Sequence, residues 1–113
     1  MTFDPNQSLS QEAVDERVDT AIEENNVVLF IKGTRHMPQC GYSDRALTLV
    51  GRHREEFEVV DALESLEEFR TALNRHSGRE TIPQTFVDGE FVGGSDILLE
   101  LEEQGDLGEQ LTA

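Results

Sequence analysis

Tryptophan is absent from this 113-residue chain, and cysteine, tyrosine and lysine occur once each. A single cysteine cannot close an intrachain disulfide, so no covalent framework supports the fold, and the expected compartment is a reducing cytoplasm. No apolar run approaches the ~18 residues of a membrane span, and residues 1–7 lack the basic, apolar character of a signal segment. Positive charge is also scarce: 9 Lys and Arg stand against 24 Asp and Glu, for a formal net charge of -15. A surface of that sign repels phosphate backbones and anionic lipid, which argues against nucleic acid and membranes as partners. The carboxylates are spread along the chain instead of forming one tail, the pattern expected of a protein adapted to concentrated salt. At about 1 M salt the Debye length is roughly 3 Å, which screens long-range repulsion among them.

The length suits one domain, expected over residues 8–113 after a flexible, polar N-terminus at 1–7. Ser8 with Gln11 has the spacing of a capping box, and Val14, Val18, Ala21 and Ile22 then recur at helical intervals up to about Asn25. The β-branched run 27–31 predicts a strand, and Ala46, Leu49 and Val50 give a helix over 43–53 an inward face. A second strand is expected at 57–60. Ser65 and Glu68 form another capping-box pattern, before a helix that carries Leu66, Phe69 and Leu73 and ends at Ser77-Gly78. Asp88-Gly89 between β-rich arms predicts a hairpin over 85–92. Ser95 or Asp96 is then placed to cap a helix ending near Gly105, and a short helix with Leu107 and Leu111 closes the chain. Two strands joined by a helical crossover pair in parallel, and a later hairpin extends the same sheet. The expected class is therefore α/β, a four-stranded mixed sheet flanked by helices on both faces.

The lone lysine and the lone cysteine, Lys32 and Cys40, lie eight residues apart across the loop between the first strand and its following helix. A thiol acts as nucleophile or metal ligand in its thiolate form, which a nearby cation and a helix N-terminus both favour. That loop sits at the carboxyl end of a strand, where open α/β sheets place ligands. Pro38, Gln39 and Gly41 around Cys40 argue against an inert, core-buried cysteine.

Four segments carry a family resemblance: Lys32-Gly33-Thr34, Pro38-Gln39-Cys40-Gly41-Tyr42-Ser43, Thr81-Ile82-Pro83-Gln84, and Asp88-Gly89-Glu90-Phe91-Val92-Gly93-Gly94-Ser95-Asp96. Together they resemble the monothiol glutaredoxins of the Cys-Gly-Phe-Ser class, over roughly residues 10–112. The resemblance implies a thioredoxin-like fold, glutathione binding, transfer of 2Fe-2S clusters and weak thiol-disulfide chemistry. It makes Cys40 the nucleophile and cluster ligand, and Lys32 the cation facing both the thiolate and a glutathione carboxylate. Gly41 and Tyr42 join the cofactor-binding set. Arg70 is implied to pair with the glycyl carboxylate, the Ile82 backbone with the cysteinyl part of glutathione next to a cis Pro83, and Ser95 with Asp96 to receive the γ-glutamyl end. Glutathione carries two carboxylates and one ammonium, so two cations and one anion form a matched set.

The chain departs from the family pattern at four places. Tyr42 replaces phenylalanine, Ser95 replaces a common second cysteine, Arg79-Glu80 stands where Trp-Pro is usual, and Arg35-His36 replaces the proline-containing start of the loop, adding charge near Cys40. His36, His53 and His76 are expected to face solvent, not to act as ligands. Ser43 occupies the position of a resolving cysteine, so a mixed disulfide on Cys40 needs an outside thiol. A 2Fe-2S cluster takes four thiolates; one per chain predicts a homodimer bridged by a cluster with two molecules of glutathione or a related γ-glutamyl thiol, and a monomer without it. The expected role is cluster delivery to apoprotein clients, with BolA-type proteins as further partners by resemblance. The alternative is a glutathione-dependent oxidoreductase acting on mixed disulfides.

Overall fold

The strand Val27–Ile31 (β1) is buried along its whole length, and its alternating side chains supply both halves of the core. Val28 and Phe30 face one side, Val27, Leu29 and Ile31 the other. In a computed structural model that describes residues 9–112, β1 pairs in parallel with Glu58–Asp61 (β2) and antiparallel with Gln84–Val87 (β3). Glu90–Gly93 (β4) completes a sheet of order β2-β1-β3-β4. The four-stranded mixed sheet is therefore as expected. Central strands buried on both faces read as continuous apolar runs, and the first strand is one.

Helices Gln11–Glu24 (α1) and Leu66–Ser77 (α3) cover the Val28 and Phe30 side through Val14, Val18, Ala21, Ile22, Phe69, Ala72 and Leu73. Phe30 meets Phe86 edge-on at 5.8 Å between ring centroids and lies 6.4 Å from Phe69. Burying one such side chain is worth about 1.5–3 kcal/mol. The opposite side is covered by Gly41–His53 (α2), Ser95–Gln104 (α4) and the short Leu107–Gln110 (α5), through Ala46, Leu49, Val50, Leu98 and Leu107, with Leu111 just beyond. None of these helices is long and apolar enough to cross a membrane.

Helix starts differ from expectation. Ser10 caps α1, its hydroxyl accepting from the Ala13 N–H at 3.1 Å; Ser8 and the segment 1–7 lie outside the described residues. Gln11 instead donates to the Glu68 carbonyl at 2.8 Å, tying α1 to α3. Ser65 does not cap α3 with its side chain: its hydroxyl accepts from the Leu9 N–H at 2.9 Å. Gly94, not Ser95 or Asp96, is the N-cap of α4, with no side-chain cap. For Gln11 and Ser65, a partner distant in the chain took precedence over the local capping bond. The C-termini follow their local signals, with Gly78 and Gly105 left-handed at φ 74° and 80°.

His53 and His76 are exposed, as expected, and each also ties two helices together. His53 Nε2 lies 2.8 Å from Glu102 Oε1, joining α2 to α4, and His76 Nε2 lies 2.7 Å from Asp19 Oδ1, joining α3 to α1. The bond from His53, and then that from Arg52, holds the Glu102 carboxyl below the usual carboxylate range.

Candidate functional site

Lys32 follows β1 directly, and its backbone N–H donates to the Ser43 hydroxyl at 3.0 Å, so the end of the strand and the first turn of α2 are locked together. Ser43 is fully buried. Between them the chain folds back on itself. Thr34 and Met37 exchange backbone hydrogen bonds of 3.2 Å, and the Gln39 N–H returns to the Lys32 carbonyl at 2.9 Å. Gly33 makes that return possible: at φ 102°, a Cβ there would stand 2.6 Å from the Met37 carbonyl oxygen and 2.7 Å from the Gln39 nitrogen. Asp61, at the end of β2, pins the turn by accepting from both the Gly33 and Leu63 N–H groups at 2.9 Å. Asp61 was not singled out from the sequence, because its role depends on the register that sets β2 beside β1.

Cys40 is the N-cap of α2, in extended conformation and partly exposed. Partial burial pushes its thiol up, but the backbone N–H groups of Ser43 and Tyr42, the Ser43 hydroxyl and the Lys32 charge outweigh that and hold it below the ordinary cysteine value. The helix start contributes more than the lysine. Iodoacetamide alkylation is accordingly expected to show a midpoint below the ~8.5 of a free thiol, because a lowered pKa places the thiolate at lower pH. A midpoint at or above that value would remove the activation. Arg35, expected to add charge near Cys40, has its guanidinium over the Phe57 ring at 4.2 Å, with Nη1 donating to the Phe57 carbonyl at 3.3 Å. No cluster of three or more metal-ligating side chains occurs among the described residues.

Beside this loop runs a groove of about 980 Å³. Lys32, Tyr42, Arg70, Ile82, Pro83, Ser95 and Asp96 all line it, while Cys40 and Gly41 border a second depression of about 390 Å³ with Pro38, Gln39 and Asp44. The Ile82–Pro83 bond is cis. Arg79, Glu80, Thr81 and Ile97 also line the groove and were not assigned to it from the sequence; their adjacency to Ile82 and Asp96 was the available signal. Three of the nine basic residues thus converge on one groove of a strongly acidic chain. Arg70 is ion-paired with Glu67, one turn away, and Arg45 stands 3.8 Å from Asp96. The Ser95 hydroxyl is buried against the groove without a hydrogen-bond partner among the described residues.

Residues 27–92 match the family profile described as Glutaredoxin. This chain belongs to the glutaredoxin family. A ycf64-like monothiol glutaredoxin of Synechocystis is 43% identical over 95 residues, covering 84% of this chain and 88% of the relative. Glutaredoxin 4 of Escherichia coli K12 is 37% identical over 92 residues, 81% of this chain and 79% of its own. Among solved structures, reduced apo GrxS14 of poplar superposes with a TM-score of 0.73 at 39% identity, covering 87% of this chain and 89% of that one. The monothiol class and the thioredoxin-like glutaredoxin fold are thereby established. A single activated thiol, with a serine at the resolving position, can serve as nucleophile or as one metal ligand, but cannot by itself complete a dithiol cycle.

Proposed function

We propose that this monothiol glutaredoxin carries a 2Fe-2S cluster, held by Cys40 and a γ-glutamyl thiol such as glutathione, and delivers it to apoprotein clients. The observation that carries the reading is the position of Cys40: partly exposed, thiolate-favoured at the start of α2, and next to a groove with charges of both signs. Bound glutathione would supply a second thiolate, and this chain's residues fit it. Lys32 and Arg70 offer cations to its carboxylates, Asp96 an anion to its ammonium, and Ser95 an unused buried hydroxyl to the γ-glutamyl end. Four thiolates around the cluster then require two chains and two small thiols, a homodimer that reverts to monomer when the cluster leaves.

Anaerobic reconstitution with iron, sulfide and glutathione, followed by size-exclusion chromatography, tests this. The expected product is a coloured dimer containing glutathione. A colourless monomer with brisk turnover of glutathionylated substrates would replace the carrier reading with that of a monothiol oxidoreductase.

The dispersed acidity supports a salt-rich working environment. The melting temperature is expected to rise from low salt towards molar salt, as screening relieves carboxylate repulsion. Greatest stability at low salt would overturn that expectation.

A further inference from the structure

We propose that Arg79 is a specificity-determining residue of the groove, a cation that receives the terminal carboxylate of the bound small thiol; this rests on the thiol-binding reading above. Arg70, the cation expected from the sequence to take that carboxylate, is already paired with Glu67. Arg79 lines the same groove, and its guanidinium makes no ion pair with any carboxylate among the described residues, Glu80 included.

The backbone beneath it is held firmly. The fully buried Gln84 donates through Nε2 to the Arg79 carbonyl at 2.9 Å and to that of Thr81 at 2.9 Å, and the Ser77 hydroxyl accepts from the Arg79 N–H at 3.0 Å. A side chain with a fixed root and an unpaired guanidinium loses little existing interaction on meeting an anion. Asp96, at the start of α4, also lines the groove. A ligand with an ammonium at one end and a carboxylate at the other is thus matched by placing the ammonium at Asp96 and the carboxylate at the α3–β3 wall, where Arg70 and Arg79 stand. In a chain of net charge -15, such local cations offset the repulsion that a ligand carboxylate meets.

The test is calorimetric titration of the full chain with S-methylglutathione, whose blocked sulfur removes any contribution from Cys40, and with its C-terminal carboxamide analogue. Arg79→Gln is expected to weaken S-methylglutathione about three- to tenfold, the range of one partly exposed charge-assisted contact. It should leave binding of the carboxamide and the melting temperature unchanged. Equal binding of S-methylglutathione by Arg79→Gln and the parent would overturn the assignment while leaving the groove reading intact, as would equal weakening of acid and amide. Failure of the parent protein to bind S-methylglutathione would overturn the groove reading and the Arg79 assignment with it.

Discussion

Cys40→Ser is expected to abolish iron-sulfur binding and thiol reactivity completely while leaving the fold intact. The loss is total because the chain has no second thiol to substitute. The fold survives for a local reason. Cys40 is the N-cap of α2 and makes no side-chain capping bond, whereas serine is among the preferred N-cap residues. The variant should therefore unfold within about 0.5 kcal/mol of the parent, or slightly higher. Far-UV dichroism with urea unfolding measures the first half of the expectation, and visible absorbance after anaerobic reconstitution the second. A variant that still forms the coloured dimer would remove Cys40 from the cluster, and with it the proposed function. Because folding and loading are read separately, a merely misfolded protein cannot be mistaken for an unloaded one.

Gly33→Val acts through backbone instead of sulfur. A Cβ at Gly33 would meet the Met37 carbonyl and the Gln39 nitrogen at 2.6 and 2.7 Å, and its φ of 102° is strained for any L side chain. The obstructing atoms belong to the turn that returns Gln39 to Lys32, so they cannot yield without releasing the segment that delivers Cys40. A β-branched residue there should cost about 2–4 kcal/mol, the sum of an unfavourable backbone region and a forced rearrangement. Cys40 alkylation should also shift back towards ordinary thiol behaviour, since the sulfur would lose its register with the N–H groups of Tyr42 and Ser43. Gly41→Ala provides the contrast: nothing lies within 4 Å of a Cβ at Gly41, the first residue of α2, and alanine favours helix over glycine. Urea unfolding of the two variants separates a required glycine from a dispensable one. Parent-like stability and reactivity of Gly33→Val would show that the turn does not position the thiol.

The contrast between these glycines also indicates where sequence reading stops. Both flank the cysteine loop, yet the need for one is visible only when Met37 and Gln39 have folded back over it. His53 and His76 illustrate the same limit. Each reads as a polar residue near a helix end, and each finds a carboxylate about 50 positions away, 49 for Glu102 and 57 for Asp19. Ser65 satisfied the pattern of a helix cap but was taken by the Leu9 N–H. Arg79 stands where the family usually has tryptophan, and the fold sets it in the lining of the groove.

What the amino-acid order determined by itself was whatever depends on neighbours along the chain. That includes the apolar periods of α1, α2 and α3, the buried run of β1, the Asp88-Gly89 turn, the left-handed ends at Gly78 and Gly105, and the cysteine at a strand-to-helix junction. Periodicity and turn chemistry are short-range, so a window of a few residues contains them. Tertiary structure decided the rest: which hydroxyl caps and which bridges, how Asp61 holds the Gly33 turn, and which cations reach the groove. Those choices turn on distances of about 3 Å between residues far apart in sequence, and packing of α3 and β2 against β1 is what brings them into range.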